Sequence, residues 1–160
     1  MKSLLPLLLF ASCAFAAEGE PVYSVKRDHS ASHIRKDAVK STLPLNKAWA
    51  ELTPAEQGRV RRLYDDMAPG DEPPFPLTGM DSILENVARI RSHTRVAGAL
   101  AIFVDVDASG EPVAAAIQRT PDADYAKAIA FILMKTRFKP AICSGAPCAM
   151  TFPFRMTLTN

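Results

Sequence analysis

The stretch GALAIFVDVDASGEPVAAAIQR, residues 98–119, decides the fold. Leu100, Ile102, Val104 and Val106 alternate with Ala101, Phe103, Asp105 and Asp107. A period of two gives a strand one apolar face. Ala108-Ser109-Gly110-Glu111 is made of turn formers, and PVAAAIQR (112–119) returns as a second strand. The stretch therefore reads as an antiparallel hairpin. Asp105, Asp107 and Glu111 around Gly110 have some likeness to a calcium loop. The twelve-residue pattern such a loop needs does not continue, so a polar turn is the better reading.

A hairpin with one apolar face needs something to bury it, and helices flank it on both sides. MDSILENVARIRSH (80–93) places Ile83, Leu84, Val87 and Ile90 on one side of a helix. Thr120-Pro121-Asp122 opens another, DADYAKAIAFILMKTRF (122–138). Its stripe is Ala126, Ile129, Ala130 and Leu133, and we expect Phe131 and Ile132 to widen it across a sheet. Lys135, Arg137 and Lys139 sit at its C-terminal end, where cations oppose the helix dipole, and Pro140 stops it. From Cys148 the chain alternates again, through Met150, Phe152, Phe154, Met156 and Leu158. Ala149, Thr151, Pro153, Arg155 and Thr157 take the other face. Pro153 has no N–H to give, so this strand belongs at a sheet edge or a bulge.

Upstream, Thr53-Pro54-Ala55-Glu56 is a capping box. Val60, Leu63, Tyr64 and Met67 follow as one stripe, so we expect an amphipathic helix over about 54–68. Asp71–Pro76 reads as an extended segment, because proline drives its neighbours out of the helical region. Val22–Arg27 reads as one short strand. His29 and His33 would share a helix face, but no third ligand is near, so they read as solvated. The Lys/Arg cluster beside them is diluted by Asp28 and Asp37.

The chain opens MKSLLPLLLFASCAFAAEGE. The apolar run from Leu4 to Ala17 is shorter than the roughly 18–20 residues a bilayer span needs. With Ala14-Phe15-Ala16 as cleavage site it reads as a signal peptide over 1–16. The mature chain is expected in an exported, oxidising compartment. Phe10-Ala11-Ser12-Cys13 is a near miss to a lipobox, and lipid anchoring at Cys13 is the second reading. Residues 17–70 then form an N-terminal extension and 71–160 one small domain. The formal net charge is +2, which gives no argument for nucleic acid or an anionic surface. No integral span is expected in the mature chain.

From residue 73 onward the order of motifs resembles the C-terminal domain of TonB-type energy transducers. PPFP (73–76) resembles that family's P-x-Y/F-P, and residues 98–117 its G-x-V-x-V-x-F-x-V-D-x-x-G-x-V hairpin. YAKAIAFILMKTRFKPA resembles its helix ending in W/R-F-x-P-A, and SGAPCAMTFPFRMTL its G-x-P turn and final strand. The resemblance spans residues 73–158. It implies an α+β fold, a three-stranded antiparallel sheet packed on helices, here with an N-terminal helical extension. It also implies a periplasmic module that binds a peptide of an envelope protein, such as an outer-membrane transporter, by adding it as a strand. By position the partner would lie along Ala149, Thr151, Pro153, Arg155 and Thr157, flanked by Glu72, Pro73, Pro74, Phe75 and Pro76. The same edge is where two copies would pair as a homodimer. Family transducers keep an uncleaved membrane helix and a long Pro-rich spacer. Neither is expected here, so the reading is of binding without pulling. An envelope structural protein or lipoprotein contacting peptidoglycan or neighbouring proteins is the alternative.

Cys143 and Cys148 flank Ser-Gly-Ala-Pro. Zinc takes about four ligands and no His is near. A thioredoxin-type pair would be C-x-x-C at a helix start. Across a hairpin in an oxidising compartment the two would bridge, and we expect a disulfide that pins the register of the last strand. The sequence holds no nucleophile–base pair, metal cluster or phosphate-cradling loop. No enzymatic activity, cofactor or metal is expected.

Overall fold

Alternating strands and helices of period 3.6 bring the apolar residues to a common interface in the computed structural model, which describes residues 22–25, 46–94 and 96–159. The leader, Cys13, His29 and His33 lie outside the described residues. The strands are β1 (Val22–Val25), β2 (Phe75–Pro76), β3 (Gly98–Val106), β4 (Pro112–Arg119), β5 (Phe138–Lys139), β6 (Ala141–Cys143), β7 (Ala146–Cys148) and β8 (Met150–Leu158). The helices are α1 (Pro54–Arg61), α2 (Asp81–Arg91) and α3 (Ala123–Met134), with a short 3-10 turn at Trp49–Glu51.

The fold is α+β. β4, β3 and β8 form the expected antiparallel trio, and the full order is β1-β4-β3-β8. The fourth strand, β1, adds parallel to β4, with Val22 opposite Ala114 and Val25 opposite Ile117. The unpaired N–H and C=O groups along the outer side of β4 are what an extended segment can satisfy.

Leu100, Ile102, Val104 and Val106 are buried against α3, whose Ala126, Ile129, Ala130 and Leu133 are also fully buried. Two alanines in that stripe let the helix lie close to the sheet. Asp122 caps it by accepting from the Tyr125 N–H at 2.7 Å. α2 closes the same core with Ile83 and Val87. The opposite face of the sheet is covered by the extension, where Tyr64 packs on Phe103 with Leu63, Met67 and Met150 at its side.

Three expectations are corrected by packing. α1 stops at Arg61 instead of reaching 68. Its residues are mostly polar and Val60 alone among them is buried, so little burial sustains further turns. The Arg61 guanidinium instead donates to the carbonyl oxygens of Ala68 and Asp71, and Asp66 takes a left-handed φ of 56° as the chain folds back. Phe131 does not widen the α3 stripe. It is 51% exposed, about 100° around from Ala130, with the Lys135 ammonium 5.7 Å from its ring centre. α3 also ends before Pro140, at Met134, because Phe138–Lys139 leaves the helix to pair with β2.

Candidate functional site

β8 lies at one edge of the main sheet. It pairs along nine positions with β3, from Gly98 opposite Leu158 to Val106 opposite Met150. No other described strand pairs with its outer side. Phe152, Phe154 and Leu158 are buried in the core against α3. The other face carries the residues expected to meet a partner. The Thr151 hydroxyl donates to the Asp105 carboxylate at 2.7 Å, and the Arg155 guanidinium lies 5.2 Å from the Phe103 ring centre. Pro153 is buried opposite Phe103, and Thr157 is exposed. Ala149 is exposed and breaks the strand, so β7 and β8 are separate.

The proline-rich strap is placed differently from a flanking surface. Pro73, Pro74, Phe75 and Pro76 are buried. Phe75 packs on Trp49, ring centres 5.9 Å apart, and pairs opposite Lys139. Glu72 exchanges two backbone hydrogen bonds with Ile142, of 2.9 and 2.8 Å. The Lys139 ammonium donates to the Glu72 carboxylate at 3.0 Å and the Pro73 carbonyl at 3.3 Å, with the Trp49 ring centre 5.5 Å away. The Asp71 carboxylate accepts from the Ser144 N–H at 2.8 Å. The strap is thus laced to β5 and β6, and its apolar side chains are used inside the protein.

Cys143 and Cys148 are disulfide-bonded, with their Cα atoms 5.8 Å apart. They are not directly opposite. Cys148 pairs with Ala141 and Cys143 with Ala146, so the bond runs diagonally across β6 and β7. The loop itself is two residues, Ser144-Gly145, both with positive φ (51° and 83°), which suits the twist of a tight hairpin. The bond closes this short hairpin. The register of β8 is carried by its ladder to β3, beyond the break at Ala149.

The hairpin turn between β3 and β4 is a polar turn. The Asp107 carboxylate accepts from the Ser109 hydroxyl and from the backbone N–H groups of Ser109 and Glu111, at 2.6, 2.8 and 3.0 Å. The Ser109 hydroxyl first, then the backbone N–H groups of Ser109 and Gly110, hold its carboxyl below the usual aspartate range. Glu111 also pairs with Arg137. Among the described residues no group of three or more His, Cys, Asp or Glu could hold a metal ion. None of their helices is long and apolar enough to cross a membrane. What β8 presents is main chain, with Thr151 and Arg155 half-buried and Thr157 exposed on one face.

The sequence reading missed two features. One is the seat of β1 on β4, since a short strand carries no label for its partner. The other is a groove of about 590 Å³ between α2 and the end of α3, where Leu77 and Phe131 are half exposed beside Lys135 and Arg137. The signal for it was Phe131, one residue off the buried stripe. No family model matches this chain, and neither a curated protein nor a solved structure matches it.

Proposed function

We propose that this protein is a TonB-C-terminal-like binding module of the cell envelope that takes an extended peptide of a partner protein as an added strand along β8. One observation carries this reading: β8 is a nine-residue edge strand, paired on one side by β3 and on its other side by no described strand. Such an edge offers N–H and C=O groups to any extended chain, less the N–H that Pro153 lacks. The resemblance of residues 73–158 to the transducer domain supports the same reading. The buried strap narrows the site, because Pro73–Pro76 face inward and the contact falls to β8, with Thr157 exposed at its end.

Photo-cross-linking tests this. A benzophenone amino acid at Thr157, incubated with outer-membrane extract, gives a discrete protein adduct that the same probe at Lys127, on the exposed side of α3, does not. No adduct at Thr157, or equal adducts at both positions, rejects edge addition. Mass spectrometry of the exported protein tests the location: an N-terminus at Ala17 supports the periplasmic module, and a diacylated Cys13 supports the lipoprotein reading.

A further inference from the structure

The outer edge of β4 is already occupied, and the occupant is a piece of this chain. Val22–Val25 lies parallel to Ala114–Ile117 in a four-position register. β1 is an edge strand whose one neighbour in the sheet is β4. Residues 26–45, outside the described residues, lie between it and Asn46, where description of the body resumes. Its bed is flat: Ala114, Ala115 and Ala116 are three small residues in succession on β4. Four residues of edge strand make few hydrogen bonds, and those bonds are to main chain, which any extended segment of similar shape supplies. The covalent link to the body keeps such a strand at high effective concentration. An identical segment from another molecule makes the same bonds, which is why exchange of such an element between copies costs little.

We infer that the β4 edge is a second strand-acceptor site, independent of β8, whose resident ligand is the chain's own Val22–Val25 and whose exchange ligand is the same segment of a second copy. The preferred strand runs parallel to β4, and the sequence Val-Tyr-Ser-Val is its template. The resident strand blocks the edge, so the site opens only when Val22–Val25 leaves.

A labelled peptide of residues 20–27 (EPVYSVKR) with a photo-reactive group at the Tyr23 position tests this on the full chain. The acceptor is opened by Tyr23→Pro with Ser24→Pro, which removes one N–H from each edge of the strand and so one that faces β4. Binding to this variant is expected to be at least about ten-fold tighter than to the unaltered chain, whose tethered strand competes. The adduct is expected on Ala114–Ala116, since Tyr23 sits opposite Ala115. Refolding the unaltered chain at high concentration, where two copies can trade Val22–Val25 reciprocally and leave neither edge open, is expected to give a dimer in sedimentation that refolding the variant does not, and a dimer of neither or of both overturns the exchange. Equal peptide binding to both proteins, no binding to either, or an adduct on β8 overturns the inference. A second opening variant replaces all of Val22–Val25 by glycine and serine. If both variants lose the near-ultraviolet signal of the folded core, β1 is an integral strand and not an exchangeable one, which also overturns it. The Thr157 cross-link to an envelope protein is scored separately, so either reading falls without the other.

Discussion

The two hairpins of this protein are held by different means. β3 and β4 are long, and the side chains they turn to α3 are removed from water: Ile102 and Val104 are 0% exposed. Each such side chain is worth roughly 1.5–3 kcal/mol on burial, and a slip by one residue would turn the set to the wrong face. Burial therefore sets the register of that hairpin. β6 and β7 are three residues each, and Ser144 through Pro147 are exposed. Little apolar area is buried there. A covalent bond between Cys143 and Cys148, with the Asp71 and Glu72 backbone and carboxylate contacts, supplies the order that packing does not. A hairpin that cannot bury a face needs a clamp.

Ile102→Ala strikes the first hairpin where it depends on packing. The expected loss is about 2–5 kcal/mol, read from urea unfolding. A loss under about 1 kcal/mol would mean that burial does not hold it. Gly110→Ala attacks the turn of the same hairpin. Gly110 has a φ of 88°, and a Cβ there would meet the Phe138 carbonyl oxygen, on the residue whose N–H donates to the Gly110 carbonyl at 3.0 Å. Strain and overpacking together are expected to cost about 2–4 kcal/mol, and the same denaturation measures it. In the second hairpin, Cys143→Ser with Cys148→Ser is expected to lose roughly 2 kcal/mol, as the short closed loop gives by chain entropy. The β3–β4 amides should keep their exchange protection in that variant. If they lose it, the two hairpins are one cooperative unit.

The smallest effect is electrostatic. The Asp107 carboxyl is held below its ordinary value in the folded protein, chiefly by the Ser109 hydroxyl. A depressed folded value means the contribution is present above the unfolded value and is lost as pH falls through the folded one. Melting temperature between about pH 5 and pH 2 should therefore fall more steeply for the native chain than for Asp107→Asn. Parallel curves would show that the turn carboxylate is energetically idle.

Where one period ran unbroken, the sequence was legible. Leu100–Val106 and Met150–Leu158 alternate, Pro112–Arg119 returns from the turn between them, and each is a strand in the expected antiparallel trio. Asp122 and Thr53 cap the helices that their spacing announced. Legibility failed where a long-range contact competed with a local pattern. Leu63, Tyr64 and Met67 keep helical spacing, yet Arg61 bonds to Ala68 and Asp71 and turns the chain so that Tyr64 reaches Phe103. Phe138 and Lys139 follow a helix but are drawn into pairing with Phe75 and Pro76. The candidate site was half legible. β8 and its proline were readable, whereas the strap Glu72–Pro76, extended as expected, proved to be interior.

The sequence alone determined the three long strands of the main sheet, where α1 and α3 begin, and that Cys143 and Cys148 stand on a tight turn, because these follow from period and turn chemistry within a few residues. The tertiary structure alone decided that the other edge is filled, and by what. Pro153 marks β8 as an edge by its missing N–H, but nothing in Val-Tyr-Ser-Val announces β4 as its neighbour. Only the packed sheet shows β4 covered by the chain's own β1.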